Sequence, residues 1–285
     1  MSPAVECVVA CGDQLGESPI WDEREQLLWW VDVKAPAIRC RAGGAATSFP
    51  LPQPVGSIAL RARGGLLAAL KSGIFLWDPR TRTPFAAPAS PDPSLRFNDG
   101  RCDRAGRFWA GTMDDATQAP RGQLYRVSPD ARCESKRSAV AVPNSLSWSP
   151  DGRTMYFADS ARRTIWAFDY DAAAGEMTNE RVFATTQLGF PDGSCIDADG
   201  CLWNAEYGSA RVVRYTPKGK VDRVIAMPVK QPTCCCFGGK GLDTLYITSA
   251  AQQLTPAQLA EQPLAGGLFA LRPGSTGLPE ARFAG

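Results

Sequence analysis

One strand–turn–strand pattern recurs six times along the chain, and this repeat restricts the fold more than any other feature. The copies read ESPIWDEREQLLWWVDV from Glu17, GSIALRARGGLLAALKS from Gly56, NDGRCDRAGRFWAGTMD from Asn98, SWSPDGRTMYFADS from Ser147, PDGSCIDADGCLWNAEY from Pro191 and TCCCFGGKGLDTLYITSA from Thr233. Each is a short strand, a tight turn rich in Gly and Asp, and an apolar strand. A third strand follows every copy: AIRCR, GIFLWDP, GQLYRVSPD, TIWAFDYD, RVVRYTPKG and GGLFALRP. Segments such as RVFATT and DRVIAMPV add a fourth in several copies. The start-to-start spacing of about 40 to 48 residues is that of a four-stranded propeller blade.

The expectation is an all-β, six-bladed β-propeller with four-stranded antiparallel blades, forming a single domain over residues 1–285. A two-sheet sandwich tolerates the same turns but gives no reason for a sixfold register. The leftover N-terminal strand VECVVA, Val5 to Ala10, has no blade of its own to begin. It is expected to close the ring as the outer strand of the last blade, covering an open edge. TPAQLAEQ, Thr255 to Gln262, is the one short helix expected, as an insertion.

Composition excludes several function classes. The 31 Lys and Arg nearly cancel 29 Asp and Glu, and no basic block interleaves with aromatics, so neither nucleic acid nor a membrane surface is an expected partner. No apolar run is long enough to cross a bilayer and the N-terminus lacks a leader pattern, so a cytoplasmic protein is expected. The ten cysteines lack paired CxxC spacing and read as buried free thiols. Histidine is absent altogether, which removes Ser-His-Asp and Cys-His nucleophile systems and imidazole acid-base chemistry. Any catalysis must rest on carboxylates, Lys, Arg, Tyr, backbone groups or an oxygen-ligated metal.

The repeat register locates candidate ligands. Five residues before the turn-side marks Asp22, Arg61, Asp103, Ser149, Asp197 and Gly238 lie Glu17, Gly56, Asn98, Asn144, Asp192 and Thr233. First strands line a propeller's channel, so these positions ring one mouth, and four of them carry carboxylate or amide oxygens. Such oxygens make a hard-cation site suited to Ca²⁺, Mg²⁺ or Mn²⁺ and workable for Zn²⁺ or Fe²⁺. Arg96 is directed toward the same region by strand alternation. The triple Cys234, Cys235 and Cys236 alternates faces and reads as a channel strand of small residues. The turns SPDGRT and DADGC read as hairpin chemistry only. Asp32, Asp159 and Glu206, near second-strand ends, read as supporting or interblade partners.

GESPIWD, RFNDGR with GRFWAGTM, PNSLSWSPDG, FPDGSCIDADGCLW, CCCFGGK with LYITSA, and QPLAGGLFAL together resemble the senescence marker protein, regucalcin and gluconolactonase family of six-bladed propellers, over nearly the whole length. The resemblance implies a divalent-metal-dependent lactonase acting on sugar lactones, with metal ligands Glu17, Asn144 and Asp192. It implies that Arg96 and Asn98 face substrate and that Asp192 also serves as general base. An acidic residue after GTM touches substrate in regucalcin-like members, and in DDATQAPRG that residue is Asp115. The expected reaction is opening of an aldonolactone to its aldonic acid. The alternatives are a phosphotriesterase or other esterase using the same metal, and a non-enzymatic calcium-binding propeller. Specificity is expected in the loops 34–36, 114–121 and 207–210.

Overall fold

Each repeat folds into one antiparallel sheet of four strands in a computed structural model that describes residues 4–285. The innermost strands are Gly16–Asp22, Val55–Leu60, Leu95–Cys102, Pro143–Trp148, Phe190–Ile196 and Pro232–Gly238, which begin blades I to VI. Each touches the innermost strand of the blade before and the blade after, and the cycle closes from VI back to I. All six blades have a fourth strand, including Ala46–Pro50, Arg82–Ala86 and Cys133–Val140, which the sequence pattern did not single out.

Ring closure follows the sequence expectation. Glu6–Val9 pairs antiparallel with Leu268–Leu271 as the outermost strand of blade VI, with Glu6 opposite Ala270. The first and last parts of the chain thus share one sheet, and the blade's outer edge is formed by the N-terminal segment. The short helix also forms, as Pro256–Glu261, capped by Thr255, whose side chain accepts from the backbone N–H of Gln258. Among the described residues no helix is long and apolar enough to cross a membrane.

The core is distributed as six apolar clusters, one between each pair of adjacent blades. Val31, Ile38, Ile58 and Leu66 join blades I and II, for example, and Tyr156, Ile165, Leu202 and Val213 join IV and V. Sheets hydrophobic on both faces can be satisfied only by neighbours on both sides, so a ring is the natural arrangement. At the turn ends, Asp103 and Asp197 accept hydrogen bonds from the indole N–H of Trp109 and Trp203 at 3.4 and 2.9 Å. These repeated aspartates pin the hairpin turns of blades III and V.

The sequence pattern assigned nothing to the C-terminal segment, which crosses the turn end of the ring. Gly277 bridges to Asp197 of blade V and Phe283 to Arg61 of blade II, while Ala284 donates to Gly106 of blade III. Glu280 approaches the half-buried Arg101 to 3.6 Å, and Arg282 pairs with Asp22. This end of the channel is therefore covered, leaving the strand-start end as the open one.

Candidate active site

A bulge follows the strand-start position in the innermost strands. The register slips between Glu17 and Ile20, Phe97 and Gly100, Asn144 and Ser147, and Pro191 and Ser194, and again at Pro232 and Cys235. A bulge carries an unpaired extra residue that re-aims its neighbours' side chains. Ser18 and Ser145, immediately after Glu17 and Asn144, hold left-handed φ values of 50° and 62°. Non-glycine residues take that conformation at a cost, which packing around the channel must offset.

The re-aimed side chains meet in a cleft of about 290 Å³ that contains Glu17, Arg96, Asn98, Asp115, Asn144 and Asp192. All six residues singled out in the sequence are therefore brought together. The other two sister positions contribute no ligand, each for a visible reason. A Cβ on Gly56 would lie 2.3 Å from the carbonyl oxygen of Phe97, so blade III's backbone leaves no room for a side chain. Thr233 donates its hydroxyl to the carbonyl of Gly16 and lies 2.8 Å from the Thr248 hydroxyl.

Glu17 and Asp192 are both buried and line the same cleft. Burial, and then the negative charge of Asp99, pushes Glu17 up to about 8. Burial and the charge of Glu17 drive Asp192 well above the carboxylate range. Two carboxylates in one desolvated place cannot both ionise without added positive charge. Without a metal, burial and mutual repulsion therefore favour a pair that keeps at least one proton.

A directed chain of hydrogen bonds runs across three blades. Arg96 donates through Nη2 to Asp115 Oδ1 at 2.8 Å and through Nη1 to Asn98 Oδ1 at 2.7 Å. Asn98 Nδ2 donates to Asn144 Oδ1 at 3.1 Å and to the Pro143 carbonyl at 3.0 Å. Asn144 Nδ2 donates to Ser160 Oγ at 2.7 Å, and Ser160 passes its own proton to the Pro191 carbonyl at 2.6 Å. With its amide nitrogen committed to Ser160, Asn144 must present its oxygen on the Asn98 side. Asp115 also pairs with Lys34; although burial raises its carboxyl, Arg96 and then Lys34 hold it below the ordinary value.

Ser160 and Lys34 were not singled out as site residues. Ser160 ends the quoted blade IV hairpin, where a hydroxyl after Ala158 and Asp159 gives no sign that it faces the channel mouth. Lys34, Gln118 and Tyr207 line the cleft from the three loops in which specificity was expected. Asp32 and Asp159 are supports: Asp32 accepts from the N–H groups of Gln14 and Leu15, and Asp159 from those of Ala141 and Val142. Each fastens the segment entering its own blade's inner strand. Glu206 is buried within blade V, accepting from Tyr215 at 3.0 Å and pairing with Arg211.

All ten cysteines are free; Cys102, Cys195, Cys201 and Cys234 to Cys236 are buried, and the other four are only partly so. Burial and then the charge of Glu17 push the Cys234 thiol well up, so it stays protonated and is no soft ligand beside the carboxylates. Among the described residues no three Cys, Asp or Glu side chains cluster on one metal position. Besides the two carboxylates, the cleft holds the Asn144 amide, whose oxygen is fixed in orientation. Two carboxylates and an amide form an all-oxygen set that fits a hard divalent cation.

Comparison with known proteins identifies the family. Residues 15–251 match the family described as SMP-30/Gluconolactonase/LRE-like region. The chain is 38% identical to the 6-deoxy-6-sulfogluconolactonase of Pseudomonas putida, over 100% of both chains. It is 41% identical to the L-arabinolactonase of Azospirillum brasilense, over 95% of this chain and 92% of that one. The crystal structure of regucalcin from Agrobacterium tumefaciens, described as a calcium-binding protein, superposes with a TM-score of 0.94 at 30% identity, covering 99% and 97% of the two chains. The chain thus belongs to the SMP-30/gluconolactonase/LRE-like family of six-bladed propellers, whose members include enzymes named for lactone hydrolysis.

Proposed function

We propose that this protein is a carboxylic-ester hydrolase that opens sugar lactones to aldonic acids, with one divalent metal held by Glu17, Asn144 and Asp192. The observation that carries the reading is the buried Glu17 and Asp192 pair, which lacks a neutralising cation of its own and sits beside an oriented amide oxygen. The lactonases among its relatives support the substrate class. A metal held by these residues would supply Lewis-acid polarisation of the lactone carbonyl and the positive charge that both carboxylates need to ionise.

In its ionised form Asp192 takes a proton from the attacking water. The water oxygen bonds to the carbonyl carbon, the ring C–O ester bond breaks, and the ring oxygen leaves as a hydroxyl, receiving the proton that Asp192 took from the water. Arg96, Asn98 and Asp115 orient the sugar hydroxyls and ring oxygen, contributing placement. Glu17 would supply the second carboxylate that holds the metal. None of these roles needs histidine, of which the chain has none.

The test is acid release from gluconate, galactonate, arabinonate and xylonate lactones, with Ca²⁺, Mg²⁺, Mn²⁺, Zn²⁺ and Fe²⁺ supplied in turn. Turnover that stops on verified metal removal supports the reading. Hydrolysis confined to phosphotriesters or simple esters redirects it to the esterase alternative. Tight Ca²⁺ binding with no turnover on any substrate redirects it to a calcium-binding propeller, the description that the regucalcin structure carries.

A further inference from the structure

Beyond the ligand pair, the cleft has a second charged feature on its lid wall. Lys34, from the loop after the second strand of blade I, reaches Asp115 in the loop after the second strand of blade III. Asp115 is already paired with Arg96 at 2.8 Å, so two cations share one carboxylate. The remaining charged groups lining the cleft are Glu17 and Asp192, whose charge belongs to the metal position. The lid wall therefore carries an excess of one positive charge.

Of the two cations, Lys34 is the one that reaches solvent, whereas Arg96 is buried. Arg96 spends both Nη1 hydrogens on the Phe97 carbonyl and Asn98 and one Nη2 hydrogen on Asp115, and its unpartnered Nε is buried. Lys34 has three N–H donors and only Asp115 accepts from it, which leaves two free at a partly exposed position inside the cleft. Its backbone is fixed, because the N–H groups of Lys34 and Ala35 donate to Asp32 at 3.1 and 3.0 Å. Asp32 is itself buried and tied to Gln14 and Leu15. The ammonium thus extends from an anchored loop to the Arg96–Asp115 pair and supplies the wall's one net positive charge.

We propose that Lys34 is a specificity residue that selects lactones with an anionic group at the end of the sugar remote from the carbonyl. A carboxylate, sulfonate or phosphate there accepts the free Lys34 N–H groups and neutralises the lid wall. The inference rests on the lactonase reading and narrows its substrate class. A lysine ammonium is a point charge without the fork of a guanidinium, so it accommodates all three anion shapes.

The experiment compares kcat/KM of the metal-loaded enzyme for gluconolactone, its terminal phosphate ester, its terminal sulfonate and the lactone of glucaric acid. The wild type is expected to prefer at least one charged lactone over the neutral one about tenfold or more, with that preference falling as salt screens the charge. Lys34→Met is expected to lower kcat/KM for the charged lactone about tenfold further than for the neutral one. Lys34→Arg, which keeps the charge, is expected to recover most of that loss. The ranking of the three charged lactones identifies the anion. Equal losses on charged and neutral lactones in Lys34→Met, or turnover of gluconolactone with no charge preference, overturn this inference alone. No turnover of any lactone by the metal-loaded wild type overturns the lactonase reading and this inference with it.

Discussion

Asn98 Nδ2 donates to Asn144 Oδ1 at 3.1 Å, so a side chain of the third blade sets the direction of an amide in the fourth. Because Arg96 holds the other end of the Asn98 amide, the substrate-facing and metal-facing halves of the cleft are mechanically joined. Asn98→Ala removes both bonds. A buried hydrogen bond to a charged group is worth roughly 1.5–3 kcal/mol, so kcat/KM is expected to fall about 10- to 100-fold, read by steady-state kinetics on a preferred lactone.

Ser160 supports Asn144 from behind. Ser160→Ala frees the amide to rotate and is expected to weaken metal binding about tenfold, the low end for loss of an outer-shell partner. Calorimetric titration with the preferred metal measures this, and an unaltered affinity counts against Asn144 as a ligand.

Asp192 is assigned two duties, and its replacement separates them from folding. Asp192→Asn is expected to reduce kcat by at least about 100-fold while far-UV circular dichroism stays that of the wild type. Glu17→Gln is expected to weaken metal binding more than Arg96→Ala does. Near-normal turnover in Asp192→Asn removes it as the base.

The raised carboxyls make metal dependence a function of pH. Burial pushes Glu17 up to about 8 in the folded protein, above an unfolded glutamate, and burial with the charge of Glu17 raises Asp192 too. The unfolded state therefore loses these protons first. The associated stability is present at pH below the ordinary carboxylate range and is lost as pH rises toward 8. A bound metal replaces the retained proton and cancels the loss. The metal-induced rise in Tm is expected to be larger at pH 8 than at pH 5, measured by scanning fluorimetry; an equal rise at both counts against a retained proton at this pair.

The covered mouth of the channel predicts stability without direct involvement in chemistry. Phe283 is fully buried and stacks edge-on against Phe85 at 5.3 Å between ring centroids, fixing the tail across blades II and III. Phe283→Ala is expected to cost about 3–5 kcal/mol in denaturant unfolding, as for other large buried aromatics. The residual activity at low temperature reports on the open mouth, where Phe283 makes no contact with the cleft lining.

The sequence by itself determined the propeller and the four oxygen-bearing positions at its mouth. Blade formation is local, since each copy needs only its own alternation and turn chemistry, and equal spacing then forces equivalent residues into one ring. Glu17, Asn98, Asn144 and Asp192 are legible for that reason. The tertiary structure decided what stands between and around them. The bulges at Ser18 and Ser145, the exclusion of a side chain at Gly56, the reach of Lys34 to a residue 81 positions away, and the tail ending in Phe283 all depend on blades approaching one another. No periodicity encodes such contacts, because they arise only when ring closure sets the distances between elements far apart in the chain.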